Sequence, residues 1–142
     1  MPKAVFDTVV FVRCLISPRS IWGRLVFDHG SAYRLILSEP VLAEILEVIR
    51  RPEITAKFRS LGTLSMRVML DNLAGAEMVE FGSIPRVCRD PEDDKFLATA
   101  QAAGAEYLVS EDRDLLDIGV YEGVSIVDAA TFLLILAAGR AN

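Results

Sequence analysis

Acidic side chains dominate the chemistry open to this chain. Between Cys88 and Leu116, in CRDPEDDKFLATAQAAGAEYLVSEDRDLL, stand Asp90, Glu92, Asp93, Asp94, Asp112 and Asp114. Carboxylates brought together repel: two at ~4 Å interact unfavourably by about 4 kcal/mol at an effective dielectric near ~20. Several stay ionised side by side only around a cation. An all-oxygen donor set suits Mg²⁺ or Mn²⁺, with waters completing the coordination sphere. The nitrogen and sulfur donors that zinc prefers are scarce. His29 is the only histidine, expected at a helix end or the surface, and Cys14 and Cys88 lie far apart without ligand spacing. Both cysteines are expected as buried, reduced thiols.

The acids do not all carry the same role. Asp90 precedes Pro91, the arrangement of a helix N-cap followed by proline at the first helical position, so Asp90 is assigned to structure. On the helix that follows, Phe96, Leu97, Ala100 and Ala103 share a face, and Asp93 projects within about 30° of its centre at ~100° per residue. Asp94 points sideways, and it and Glu92 are expected to be solvated. Gly104 stops the helix, Tyr107–Val109 reads as a strand, and Asp112 and Asp114 follow directly after Ser110.

Ligands in open α/β sheets bind outside the carboxyl ends of the strands. Ala4–Phe6 is a short apolar run ending in Asp7, so Asp7 and Asp112 are expected to emerge at one sheet edge from two strands. A fourth acid comes from a helix that Ser38 caps, with Pro40 just inside its start, running to about Arg50. Val41, Leu42, Ile45, Val48 and Ile49 define its apolar face. Glu44 lies at the border of that face, where it can reach a cleft, and Glu47 lies opposite, towards water.

The remaining elements frame these positions. A helix is expected from Ser20 to Asp28, ended by Gly30, then a strand at Leu35–Leu37. Helices over Glu53–Phe58 and Leu64–Ala74 surround Gly62, and an edge strand covers Glu77–Phe81. Val124–Val127 is the last strand, and Asp128 caps an apolar tail, Ala129–Ala138, too short to span a bilayer. That tail is a packed final helix or a homodimer surface. Alternating helices and short apolar strands predict an α/β fold, a three-layer α/β/α sandwich around a mostly parallel sheet, in a single domain over residues 1–142. Net charge of −5 with 52% apolar and 25% charged residues excludes disorder and general polyanion binding; a nucleic-acid role needs a local basic surface. The N-terminal MPKAVFDT reaches an acid by residue 7, unlike a signal peptide, which predicts a cytoplasmic protein with no membrane association.

Four pieces of the chain, AVFDT, SEPVLAEILEVIRRP, DPEDDKFLATA and YLVSEDRDLL, resemble the PIN-domain family in the family's own order, and especially its VapC-like toxin ribonucleases. The resemblance implies a metal-dependent endoribonuclease of a toxin–antitoxin pair, cutting RNA to 5′-phosphate and 3′-hydroxyl ends. Asp7 matches the first-strand acid, Glu44 the helix glutamate, Asp93 the acid seven residues before a helix alanine (Ala100), and Asp112 the acid after the fourth strand's Ser110. These four would be catalytic, with Asp7, Asp93 and Asp112 as ligands of Mg²⁺ or Mn²⁺. Asp114, Thr8 and Ser110 are possible auxiliaries, and Arg13, Arg50, Arg51 and Arg113 are candidate RNA contacts. The implied partners are an RNA substrate and a cognate antitoxin.

Two positions depart from the family pattern. Val9 stands where asparagine is common, removing a side chain that could orient substrate or water, and Glu111 replaces a glycine or basic residue, adding charge near the site. Both favour a rival hypothesis, a weakened module acting through partner or RNA binding. A phosphoryl-transfer domain is a further rival. A haloacid-dehalogenase-like phosphatase would want an acid at position 9, and a receiver domain an acid pair near the first strand; neither is present.

Overall fold

The computed structural model describes residues 1–58 and 64–141. Short runs of branched and aromatic residues form six strands: β1 (Lys3–Phe6), β2 (Arg34–Leu37), β3 (Glu77–Met78), β4 (Tyr107–Val109), β5 (Val120–Tyr121) and β6 (Val124–Val127). They lie in the order β3, β2, β1, β4, β6, β5. Every pairing is parallel except that of β5 with β6. Parallel neighbours need crossover connections, and helices supply them. These are α1 (Thr8–Ile16), α2 (Ile21–Gly23, continued by a π-turn over Arg24–Asp28), α3 (Glu39–Ile49), α4 (Pro52–Phe58), α5 (Leu64–Ala74), α6 (Asp94–Ala103), α7 (Arg113–Ile118) and α8 (Ala129–Ala141). The result is the expected sandwich of helices about a mostly parallel sheet.

Side-chain alternation assigns the faces. Ala4 pairs with Tyr107 and Phe6 with Val109, so these four residues share one face. Phe132 of α8 covers it, with ring centroids 6.0 Å from Phe6, 5.8 Å from Tyr33 and 5.4 Å from Tyr107. The apolar tail is therefore a packed helix, although its Leu134 remains 72% exposed. Helix α6 packs across β1, β2, β4 and β6. Among the described residues no helix is long and apolar enough to cross a membrane.

The structure differs from the sequence expectations at four elements. Thr8–Ile16 is rich in β-branched residues, which suit strands, and the sequence alone assigns no helix there. It is helical because Asp7 caps it and because Val10, Phe11, Cys14 and Leu15 fall on one buried stripe. The edge strand stops at Met78 rather than Phe81. Its partner β2 ends at Leu37, whose carbonyl takes the Val79 amide at 2.9 Å, and the chain then enters α3. Strand β5 is unanticipated, a two-residue hairpin partner closed by Glu122 and Gly123 at positive φ (49° and 83°). Cys88 is half-buried rather than buried; Cys14 is buried, and both are free thiols. The helices expected on either side of Gly62 are present, while Gly62 itself lies outside the described residues.

Phe132 is fully buried. Removing its ring would leave a cavity under β1 and β4, and Phe132→Ala is expected to lower unfolding stability by about 3–5 kcal/mol. Urea denaturation measures this; a loss under about 1 kcal/mol would mean α8 does not seal that face.

Candidate active site

Each central parallel strand hands over to a polar residue at its carboxyl end: Asp7 after β1, Ser38 after β2, Ser110 after β4 and Asp128 after β6. Asp7 is 5% exposed, and its backbone still belongs to the sheet: its amide N–H donates a hydrogen bond to the Val109 carbonyl at 2.9 Å. Its side chain turns to cap α1, Oδ1 accepting from the Val9 amide at 2.6 Å. Its other oxygen, Oδ2, accepts from the Ser110 hydroxyl at 2.6 Å. The same hydroxyl oxygen accepts the Asp112 amide at 3.0 Å, so Ser110 fixes the two strand ends to each other. Asp112 in turn caps α7, accepting the Asp114 amide at 2.9 Å.

The other two acids arrive on helices. Glu44 sits half-buried on α3 beside its apolar stripe, while Glu47 faces water in a surface pair with Arg51 at 2.8 Å. One Glu44 oxygen accepts from the Thr8 hydroxyl, and the other lies 2.6 Å from Lys95 Nζ. Asp93 ends a 3₁₀ turn, Pro91–Asp93, that Asp90 caps through the Glu92 amide at 3.0 Å. Asp7, Glu44, Asp93 and Asp112 all line one pocket of about 270 Å³, with Thr8, Val9, Arg13, Phe96 and Glu111 completing its wall.

Their electrostatics follow from this crowding. Burial pushes the Asp7 carboxyl above its ordinary value; the hydrogen bonds from Ser110 and Val9 oppose the rise, and negative Asp112 and Glu44 add to it. Asp93 is raised from 3.8 to about 7, first by burial, then by a hydrogen bond to Asp112 that favours its protonated form, then by the charges of Asp112, Asp90 and Asp7. Four carboxylates on one pocket wall, with Asp7 and Asp93 raised by burial and by their negative neighbours, are chemically suited to a hard divalent cation. The acids are not already drawn into a cage: among the described residues no three His, Cys, Asp or Glu side chains form a metal-binding group. Three of the four carboxylates are instead engaged by protein donors: Ser110 and Val9 on Asp7, Thr8 and Lys95 on Glu44, and the Asp114 amide on Asp112.

The auxiliaries and arginines divide. Thr8 and Ser110 bind site acids directly, and Arg13 lines the pocket with its guanidinium 4.7 Å from the centroid of the Trp22 ring. Asp114 is not among the pocket's lining residues and lies 3.8 Å from Arg89. Arg113 is exposed and also lies off the pocket, while Arg50 and Arg51 line a separate surface depression on α3.

Three features escape the sequence. Asp94 is not solvated: it is 2% exposed, and its Oδ1 accepts the amides of Val87 (3.2 Å) and Cys88 (2.7 Å). Those bonds hold its carboxyl below the ordinary range despite burial. The cause is a chain segment folding back over the helix head, which helical geometry alone cannot report. Glu111 lines the pocket, and its Oε1 also accepts both Trp22 Nε1 and the Ala129 amide at 3.0 Å, contacts between distant segments that the sequence does not show. Lys95 is the third, a lone cation in an acidic run and the one local cue the sequence offered. His29 ends the π-turn as expected for a helix-end residue.

A family model described as a PIN domain matches residues 3–114. Two solved structures share the fold. VapBC2 from Rickettsia felis, solved bound to a DNA fragment from its promoter, aligns with a TM-score of 0.55 at 13% identity, over 87% of this chain and 96% of that one. PAE2754 from Pyrobaculum aerophilum aligns with a TM-score of 0.56 at 17% identity, over 96% and 90% respectively. No curated protein matches the sequence.

The raised Asp93 carboxyl has a signed consequence for stability. Between about pH 4 and pH 7 the folded protein keeps a proton that the unfolded chain has released, so this group's contribution to stability falls as pH rises through that window. Asp94 and Asp128, both lowered, act the other way and lose their contribution only under more acidic conditions. In EDTA, the stability of the unaltered protein relative to Asp93→Asn is expected to decline from pH 4 to pH 7. Melting curves for the two proteins across that range measure it, and parallel curves would contradict the shift.

Proposed function

This chain belongs to the PIN-domain family, and on that premise we propose that it is a metal-dependent endoribonuclease, the toxin of a toxin–antitoxin pair. The observation that carries the reading is the convergence of Asp7, Glu44, Asp93 and Asp112 on one pocket at the carboxyl ends of β1 and β4. Asp7, Asp93 and Asp112 would hold Mg²⁺ or Mn²⁺. The bound ion would supply acidified water and electrostatic stabilisation of the phosphate. Ser110 and the Val9 amide immobilise Asp7, and Thr8 fixes the reach of Glu44. Asp93 gives up the proton it holds below about pH 7 when the site is occupied. Arg13, whose guanidinium lies over the Trp22 face beside the pocket, would meet a backbone phosphate.

The reaction is attack of a water oxygen on phosphorus with cleavage of the bond to the 3′ oxygen, leaving 5′-phosphate and 3′-hydroxyl ends. The working unit is a single nuclease domain over residues 1–142, acting on cytoplasmic RNA. VapBC2 of Rickettsia felis, a structural neighbour solved on promoter DNA, supports pairing with an antitoxin. Such a partner would silence the enzyme by covering the acidic pocket. A homodimer through the exposed side of α8, where Leu134 lies, is compatible with the same arrangement.

One observation favours a second reading. Val9, which is 40% exposed at the pocket, offers no hydrogen bond to substrate or water. A weakened module acting by binding would hold an antitoxin tightly and cut no RNA with any divalent ion.

Single-stranded RNA incubated with Mn²⁺ is expected to be cut, and EDTA to abolish cutting. Asp7→Asn and Asp93→Asn are each expected to reduce the rate by about 100-fold or more. Undiminished cutting by either variant would sink the assignment.

A further inference from the structure

Lys95 does not line the pocket, yet it is the cation that pairs directly with one of its four acids. Its side chain is 12% exposed; Nζ lies 2.6 Å from Glu44 Oε1 and 3.3 Å from Glu92 Oε2. The backbone beneath it is fastened. The Lys95 carbonyl accepts the Thr99 hydroxyl at 2.7 Å, and that hydroxyl meets Ser38 Oγ, at the head of α3, also at 2.7 Å. Helices α3 and α6 are thus tied by a buried hydroxyl pair beside the place where Glu44 and Lys95 join across them.

The four site acids differ in what answers them. The donors on Asp7 are neutral, a hydroxyl and an amide. Asp112 likewise meets a backbone amide. Glu44 alone faces a full positive charge, and Thr8 occupies its second oxygen. Exposed ion pairs count for little, but this one is largely withdrawn from water, and the Lys95 ammonium lies 5.7 Å from the centroid of the Phe96 ring. Taking the nuclease reading as its basis, we infer that Lys95 is a positioning residue: it pins Glu44 to the pocket wall, out of the coordination sphere, so that the three aspartates alone bind the ion. Glu44 then serves water and substrate, not metal.

Calorimetric Mn²⁺ titration and RNA-cleavage kinetics on the unaltered protein, Lys95→Met, Lys95→Arg and Glu44→Gln test this. Lys95→Met frees a fourth carboxylate, so Mn²⁺ affinity is expected to rise about threefold or more. Its kcat at saturating Mn²⁺ should fall about tenfold with KM little changed, because Glu44 is no longer aligned. Lys95→Arg is expected to recover most of both, and Glu44→Gln to leave Mn²⁺ affinity within about twofold. A merely structural lysine would not tighten metal binding when lost. The pair is also read without metal or turnover: the Lys95 ammonium ¹⁵N signal should be slowly exchanging in EDTA and should vanish in Glu44→Gln. That measurement stands even if Lys95→Met does not fold. Unchanged or weaker Mn²⁺ binding by Lys95→Met, or a fast-exchanging ammonium in the unaltered protein, overturns this inference alone. Failure of the unaltered protein to bind Mn²⁺ overturns it together with the nuclease reading.

Discussion

Carboxylates that share a small pocket must have their charge answered, and the way this protein answers it shapes everything around the site. Repulsion among Asp7, Glu44, Asp93 and Asp112 is met by three different means. Neutral donors, the Ser110 hydroxyl and the Val9 amide, oppose the rise that burial imposes on the Asp7 carboxyl. A cation, Lys95, answers Glu44. A proton retained up to about pH 7 answers Asp93. Each means leaves a different residue free for a different task. The pocket is therefore not four equivalent ligands, but one pinned acid, one proton-holding acid and two acids at strand ends.

The parallel sheet makes this arrangement possible. Because β1 and β4 are neighbours running the same way, their ends lie side by side, and Asp7 and Ser110 meet although 103 residues separate them. The helices that leave those ends start with unpaired amides, which the same acids cap. Asp7 and Asp112 thus serve the fold and line the pocket with the same atoms. Such double use fixes one oxygen of each of these two acids at the start of the helix it caps.

Much of this was legible in the sequence, where a residue's role depends on its own element. The alternation of strands and helices predicted the sandwich, and helical angle alone separated Glu44 from Glu47. Asp90 read as a cap because capping needs only its immediate neighbours. What failed depended on chain segments meeting from afar. Asp94 looked like a lateral surface acid until Val87 and Cys88 folded over it. The contacts of Glu111 with Trp22 and the start of α8 were hidden for the same reason. Helix α1 was hidden because its β-branched residues favour strands locally, and only burial against the core overrides that preference.

The separations spanned by these contacts set an order of assembly. Asp94 meets Val87 and Cys88 across only seven and six residues, a closure of the kind that takes about 10–100 ns. The Ser110–Asp7 bond, by contrast, must wait for β1 to pair with β4. On a ribosome, a chain emerging from its N-terminus carries Asp7 and Glu44 early, yet it has no pocket to put them in until residue 112 is clear of the exit tunnel. The pocket is therefore completed late relative to its first acids: Asp7 and Glu44 wait for the segments that carry Asp93, Ser110 and Asp112.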